Sequence, residues 1–463
     1  DSIYKGDAVV TVPEPATEAG ADSFWVQKRT EPLTSVEQKV YENIDSLQNM
    51  RSFKRFMNMA TLLLAGYSSF GPWELGPVNA FYSFNPIEGF RLRVGGRTTP
   101  KFNKNIYFEN YVAYGFKDEK WKYYFAGTYS FNQKSIYSFP LNYVRASYQR
   151  DTKIPGQELQ FVTEDNFLLS FKRGNNDKWL YNDIARLEYV HEFGKNMSYT
   201  FGYKYWKQSP AGSISYAKEV GGVLNPVQDV TTSELSAEFR WAPNEQFYQG
   251  KVYRIPFFNK YPIFRFRYIA GIKGLTGGQY NYSNISINIF KRFYLSQLGY
   301  ADTWVEGGYL TGKVPFPLLT IHRANQTYAY QMNSYNLMNF MEFVSDRYAS
   351  FNIDYALNGF VFNKIPLLKK LKLREAVSFK IMYGALRDEN RPSKNPKDAF
   401  KFPTNDLGQT TTFVPDAEPY MEASVGVANI FKLFRVDLVK RLSYLNNPDV
   451  AKWGIRTRVR FDF

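Results

Sequence analysis

Segments of strict two-residue alternation recur from residue 58 to the end of the chain, and they constrain the fold more than any other feature. In Trp121–Phe131 the odd positions are Trp121, Tyr123, Phe125, Gly127, Tyr129 and Phe131, with Lys122, Tyr124, Ala126, Thr128 and Ser130 between them. Phe90, Leu92 and Val94 alternate with Arg91 and Arg93, and Phe264, Phe266 and Tyr268 with Arg265 and Arg267. A period of two is that of a β-strand whose two faces meet different surroundings. Half-buried strands of a soluble sandwich show it too. Here many segments reach the roughly 9–11 residues that a tilted membrane-crossing strand needs.

No apolar run approaches the ~18 residues of a transmembrane helix; the longest, Met59–Ala65, is far shorter. A chain that crosses a bilayer without such helices must do so as a closed sheet, because every backbone N–H and C=O needs a partner in lipid. Aromatic residues are 18% of the 463, with 36 Tyr and 40 Phe, yet the mean hydropathy is −0.42. A soluble core would have to bury most of those rings. A membrane barrel instead alternates lipid-facing and lumen-facing residues and carries aromatic girdles at both interfaces.

Segment starts near residues 88, 106, 120, 141, 166, 183, 197, 232, 262, 281, 298, 341, 376, 420, 434 and 453 predict an all-β fold. The expected form is a transmembrane antiparallel β-barrel of about 16 strands. A hairpin of Leu62–Tyr67 and Leu75–Phe84 about Phe70-Gly71-Pro72 makes about 18 the alternative. The final strand is the clearest. Trp453, Ile455, Thr457, Val459, Phe461 and Phe463 share one face, and Gly454, Arg456, Arg458, Arg460 and Asp462 the other. A lipid face, a polar lumen face and a terminal aromatic suit the edge that barrel-insertion machinery pairs with. Val459, Phe461 and Phe463 are the candidate insertion signal.

Residues 1–57 differ from the barrel, 58–463. Val9–Gly20 is rich in Pro, Ala and Glu and reads as a linker. Thr34 with Glu37, and Ser35 with Gln38, form overlapping capping boxes. Val36, Val40, Tyr41, Ile44 and Leu47 then repeat on one helical face, which predicts a periplasmic amphipathic helix over 35–50. Its expected role is docking on the barrel; plugging the barrel mouth is the alternative. No secretory leader is visible at Asp1-Ser2-Ile3-Tyr4, so an outer-membrane reading implies a mature form or a piece of a longer chain.

Both ends of such a barrel lie in the periplasm and the longer loops lie outside. Counting back from Phe463 places 207–231, 312–340 and 387–419 outside. Lys117–Glu119, Gly194–Asn196, 242–260 and 361–374 fall on the periplasmic side. The last contains Ile365, Pro366, Leu367, Leu368, Lys369 and Lys370, a basic amphipathic turn that suits the inner-leaflet surface or an ordinary packed turn.

The net charge is +15. The basic residues are spread along alternating segments and not gathered in a tail or on one helix, which argues against nucleic acid and for lipopolysaccharide or anionic solutes as counter-charges. Arg91, Arg93, Arg97, Arg265, Arg267, Arg456, Arg458 and Arg460 are expected in the lumen. With them belong Arg145, Lys172, Arg186, Lys204, Arg240 and Arg435, facing Glu109, Glu188, Glu238, Glu306, Glu342, Asp354, Glu422 and Asp437. These charges predict either a mutually neutralising network that fills the lumen or an anion-attracting pore. Tyr124 and Trp206 at inward positions favour the network.

There is no cysteine, which excludes disulfides and thiolate chemistry. His191 and His322 are the whole histidine complement, so a His-rich metal site is excluded. No nucleophile elbow or nucleotide-binding motif is present. No enzyme activity, cofactor or metal is expected.

Several stretches resemble a family. They are Asp22-Ser23-Phe24-Trp25 with Arg29, Pro32, Leu33 and Glu37; Ser83-Phe84-Asn85-Pro86-Ile87-Glu88-Gly89-Phe90-Arg91-Leu92-Arg93; Val112-Ala113-Tyr114-Gly115 with Trp121-Lys122-Tyr123; and Asp346-Arg347-Tyr348-Ala349-Ser350 with Gly359, Asn363-Lys364-Ile365-Pro366-Leu367-Leu368-Lys369-Lys370-Leu371 and Leu373-Arg374-Glu375. Together they are similar to an uncharacterised outer-membrane barrel family of Bacteroidota. Its members carry a carboxypeptidase-regulatory-like domain upstream, which the resemblance implies is missing here. Asp346–Gly384 is more distantly similar to BamA-type surface-antigen barrels. The Arg-Gly-Phe or Arg-Gly-Tyr motif of their lumen-inserted loop is absent. The resemblance implies a non-enzymatic subunit of an outer-membrane assembly or export complex, with lipid, lipopolysaccharide, the insertion machinery and other envelope proteins as partners. The lumen arginines support the other expectation, a channel for anionic solutes.

Overall fold

The computed structural model describes residues 2–5, 8–11, 34–56, 59, 66–156, 173–174, 177–249, 254–257 and 260–459. Among these residues, fifteen strands of seven residues or more run in chain order. They are β1 (Gly89–Thr98), β2 (Ile106–Gly115), β3 (Trp121–Ser130), β4 (Asn142–Lys153), β5 (Lys178–Phe193), β6 (Met197–Gly212), β7 (Val230–Trp241), β8 (Ile263–Gly271), β9 (Tyr282–Tyr294), β10 (Tyr300–Thr311), β11 (Arg347–Ala356), β12 (Arg374–Ala385), β13 (Tyr420–Ile430), β14 (Phe434–Arg441) and β15 (Trp453–Val459). Each is antiparallel to the next, and no helix is long and apolar enough to cross a membrane among the described residues.

Upstream of β1, Ser68–Phe70 pairs with Trp73–Leu75 across Gly71-Pro72. Trp73–Leu75 and Tyr82–Asn85 both pair with β1, so they are two pieces of one broken strand. The break holds Pro77, which has no N–H for the ladder, and a 3₁₀ turn at Val78–Ala80. The described sheet thus has about seventeen positions, between the sixteen and eighteen expected. Strand order brings β15 back to the first hairpin, which makes the sheet a barrel. No residue pair across that seam falls among the described residues.

The two faces of the sheet follow the alternation. Val94, Val112, Leu187, Leu235, Ile287, Val305 and Leu438 stand exposed on the outside, whereas Lys122, Asp151, Asp302, Asp354, Lys380 and Asp437 are buried inside. This is the inverse of a soluble barrel. Aromatic side chains gather at both ends of the apolar band. Tyr189, His191, Phe193 and Tyr199 stack at one end, and Tyr114, Phe116, Trp121 and Phe90 cluster at the other.

The connections after β10, β12 and β6 are long and share one end. Their apolar residues form one cluster that includes Ile214, Tyr216, Val314, Phe316, Met341, Leu386 and Phe400. The opposite end carries the turns at 194–196, 295–299 and 431–433, together with 242–262 and 357–373. The length of 242–262 has a structural reason: Gln246–Gln249 pairs with Arg254–Pro256 and with Ser2–Lys5, which pairs with Ala8–Thr11. The start of the expected linker, Val9–Thr11, therefore belongs to the strand Ala8–Thr11; residues 12–20 lie outside the described residues.

One further expectation needs correction. Lys117–Glu119 does not share an end with Gly194–Asn196. It lies at the long-loop end, where Tyr181 at the start of β5 donates to Asp118 at 3.0 Å. The error came from counting separate strands at 166 and 183. Residues 178–193 form one strand that pairs directly with β4 along its length, so nothing stands between them in the sheet and every upstream strand reverses direction. The helix spans Ser35–Asn49 with the Thr34–Glu37 capping box, and Val40, Ile44 and Leu47 of its apolar face are exposed.

Candidate functional site

The connection Gly312–Asp346 starts at the long-loop end and folds back into the lumen. From Ala324 to Met341 it carries no Asp, Glu, Lys or Arg but many Asn, Gln, Ser, Thr and Tyr. Such side chains satisfy each other and the backbone when buried, without the desolvation cost of a charge. Asn325 donates to Ala329 O at 2.6 Å and to Asn336 Oδ1 at 2.7 Å, and Gln326 Oε1 accepts from Phe340 N at 2.7 Å. Leu337, Met338 and Phe343 are fully buried, the last two against Tyr335, Met382 and Tyr420.

The barrel wall grips this plug through charged groups. Glu422 on β13 accepts from Asn336 N at 2.7 Å and Leu337 N at 3.1 Å. Lys380 on β12 donates to Gln331 O at 2.6 Å and Ser334 O at 2.5 Å. Arg456 on β15 donates to Asn336 O at 2.6 Å, and Arg173 donates to Asn325 O and Asn336 O at 3.0 and 3.2 Å. Arg441 on β14 binds Glu342 of the plug at 2.5 and 3.0 Å. Arg323 of the plug binds Glu306 on β10. Tyr330 donates to Asp354 at 2.9 Å, and Asp354 is clasped by Arg435 at 2.7 and 2.9 Å.

The plug also reaches the seam. Ala329 forms a parallel bridge with Thr457 on β15. Tyr330 N donates to Thr457 O at 2.7 Å, and Thr457 N donates to Tyr328 O at 2.9 Å. Thr457 stands opposite Val436 on β14. Its N–H and C=O point together, as strand geometry requires, away from β14. The outer edge of the last strand is thus held at this point by the plug and not by another strand of the wall.

Arg91 forms a two-pronged contact with Asp151 at 2.8 and 3.0 Å and meets Glu88 at 3.2 Å. Arg93 lies 3.8 Å over the Tyr111 ring. Arg97 binds Glu74 at 2.7 Å, and Arg267 binds Glu238 at 2.8 Å. Arg265 pairs in register with Arg240, and Arg458 with Arg435. Arg145 binds Glu109 and Tyr124, both at 2.7 Å. Arg460, Phe461, Phe463 and Lys172 lie outside the described residues; Val459 closes β15. Glu342, expected on the wall, belongs to the plug, because β11 begins at Arg347. Between the plug and β4–β9 remains a chamber of about 610 Å³ lined by Arg186, Glu188, Trp206 and Gln208, and by the ion pair Lys204–Glu234 at 3.1 Å.

His322 sits inside the plug at 2.8 Å from Ser345 Oγ. Burial pushes its imidazole down to about 3. The folded plug therefore holds it neutral, while the unfolded chain takes up a proton below pH about 6.5. Its stabilising contribution is complete above that pH and is lost as pH falls toward 3, at about 1.4 kcal/mol per pH unit. The urea midpoint should drop between pH 7 and pH 5 by the equivalent of about 2 kcal/mol, and His322→Asn should flatten that drop. Equal drops in both proteins remove His322 as the cause.

Residues 72–389 match the model described as "Family of unknown function (DUF5686) C-terminal domain". No curated protein matches the chain. Among solved structures it is similar to BamA from Haemophilus ducreyi lacking POTRA domains 1–3, at 9% identity and a TM-score of 0.48, covering 82% of this chain and 69% of that one. CdiB from Escherichia coli is similar at 10% identity and a TM-score of 0.42, covering 85% of this chain and 63% of that one. The capsule-assembly protein Wzi of Escherichia coli gives 10% identity and a TM-score of 0.32, covering 94% of this chain and 90% of that one. The strand pairings, and not these overlaps, establish the barrel. With the family model matching residues 72–389 of 463, the chain belongs to the DUF5686 family of unknown function, through its C-terminal domain.

Proposed function

We propose that this chain is an integral β-barrel of a bacterial outer membrane, non-enzymatic, and a subunit of an outer-membrane protein assembly or export complex. The apolar outer band between two aromatic belts supports the membrane location. One observation carries the role: the edge of β15 at Thr457 is bonded to Tyr328 and Tyr330 of the plug. A sheet edge held by a detachable loop is a place where an extended polypeptide can add as a strand. Lipid and lipopolysaccharide surround the wall, the insertion machinery reads the last strand, and envelope proteins engage the short-turn end. A Bacteroidota source and an upstream carboxypeptidase-regulatory-like domain complete this reading. An anion channel has less support, because the carboxylates Glu74, Glu238, Asp151 and Asp354 hold Arg97, Arg267, Arg91 and Arg435.

The chain has no cysteine, so an Ala329→Cys, Thr457→Cys double variant tests this cleanly. Bridge partners lie within disulfide reach. Oxidation should leave a folded barrel but produce an envelope defect that reductant reverses. Locked cells that behave as wild type would show that the edge is never released. Purification in mild detergent should also bring down envelope partners, and a partner-free monomer counts against the complex.

A further inference from the structure

The connection 357–373 does not simply reverse the chain between β11 and β12. It folds over the outside of the wall. The carboxylate of Glu375, buried, accepts from Gly359 N at 2.9 Å, from Val361 N at 2.7 Å and from Phe362 N. Arg374 donates to Asn363 at 3.2 Å, and Asn429 of the next hairpin donates to Lys372 O at 2.6 Å. Gly359 has φ +88°, and a Cβ there would collide with the Arg374 guanidinium. The turn and its helix, Pro366–Lys370, are therefore fixed in place.

Beneath this overhang lies a groove of about 1040 Å³ on the outward faces of β12 to β15. Leu371, Val377, Val425, Phe431, Leu438 and Ile455 line it, and all six are exposed, Val425 at 68% and Phe431 at 86%. Its floor continues the apolar outer band. Its charged lining has the opposite chemistry: Lys370, Lys372 and Lys432 border it and are all exposed. The one carboxylate of the lining, Glu375, is already taken by three backbone N–H groups.

We propose that this groove is a binding site for one anionic glycerophospholipid of the periplasmic leaflet, its acyl chains against Val425, Leu438 and Ile455 and its phosphate headgroup at the three lysines. The proposal rests on the membrane-barrel reading. An apolar cleft on a lipid-facing wall excludes water, so only its charged lining separates one lipid from another. Each lysine near a headgroup favours an anionic lipid by about fivefold, and three together should exceed tenfold in retained lipid.

The test is native mass spectrometry of the whole chain released from vesicles of phosphatidylglycerol and phosphatidylethanolamine in equal parts. The expected result is phosphatidylglycerol retained at least roughly tenfold over phosphatidylethanolamine. The triple variant K370Q/K372Q/K432Q should still insert but lose the preference. Val425→Trp, which fills the groove, should lose retention of both lipids. Equal retention of the two lipids by inserted wild type overturns the proposal, as does an unchanged preference in the triple variant or full retention in Val425→Trp. A chain that fails to insert at all, and is extracted by urea, removes the membrane reading and this site with it.

Discussion

Excising Ala324–Met341 and joining the ends with a short Gly-Ser linker should turn a closed barrel into a conducting one. This segment is the central part of what fills the lumen beside β10 to β15, packing on Met382 and Tyr420 of the wall. It contributes the buried Leu337 and Met338 and takes hydrogen bonds from Lys380, Arg456 and Arg173. Without it those cations face water, and a wide polar lumen passes ions. Planar-bilayer recordings should show little current for the intact protein and stepwise openings for the excised one, with anions preferred. If the intact protein already conducts steadily with anion preference, the plug is not a barrier and the channel reading replaces the one proposed. If the excised barrel stays silent, something other than this loop closes the lumen.

Breaking the ion pair between Arg441 and Glu342 should be the most destabilising single change in the barrel. Their side chains are 0% and 2% exposed. Arg441 also donates to Ser443 O and Tyr444 O, both at 3.0 Å. Removing Glu342 strands a fully buried guanidinium, at a cost of about 3–5 kcal/mol. Glu342→Ala should lower the urea midpoint accordingly and make the plug sensitive to protease. Replacing both residues with Met and Leu should recover most of the loss, because the pair together repays much of its own desolvation. The outer pair Arg150–Asp183 is the internal control. It spans 2.5 Å, but Arg150 is 51% exposed, so Arg150→Ala should cost less than about 1 kcal/mol. Comparable losses at the two sites would show that burial does not govern these pairs.

The plug was only partly legible in the chain. Its span without charged residues marks it as buried, yet a long loop rich in Asn and Tyr also suits an exposed position. Nothing in a local pattern tells which way a loop folds at the rim of a barrel. The Arg-Gly-Phe motif is absent, and the insertion is achieved without it, through Arg323–Glu306 and through amide side chains. The misplaced turn at Lys117–Glu119 has a simpler origin. Strand direction is a parity, and a single extra strand counted near 166 reverses everything upstream.

What the sequence determined by itself is the sheet. Side-chain alternation is a property of each strand alone, so Phe90–Val94 or Trp453–Val459 declare their two faces without reference to neighbours. From that follow the all-β class, the apolar exterior, the aromatic belts and the shared end of the three long loops. What only the tertiary structure decided is the meaning of the surplus arginines and lysines. As charges alone they fit a neutralising network or an anion path, but Arg456, Arg173 and Lys380 are aimed at backbone carbonyls of the plug. A carbonyl oxygen belongs to every residue type, so no sequence pattern records it as the partner of a charge. That same closing strand, plain in outline from its alternation, has its edge at Thr457 bonded to a loop more than a hundred residues away, a contact that exists only once the chain has folded.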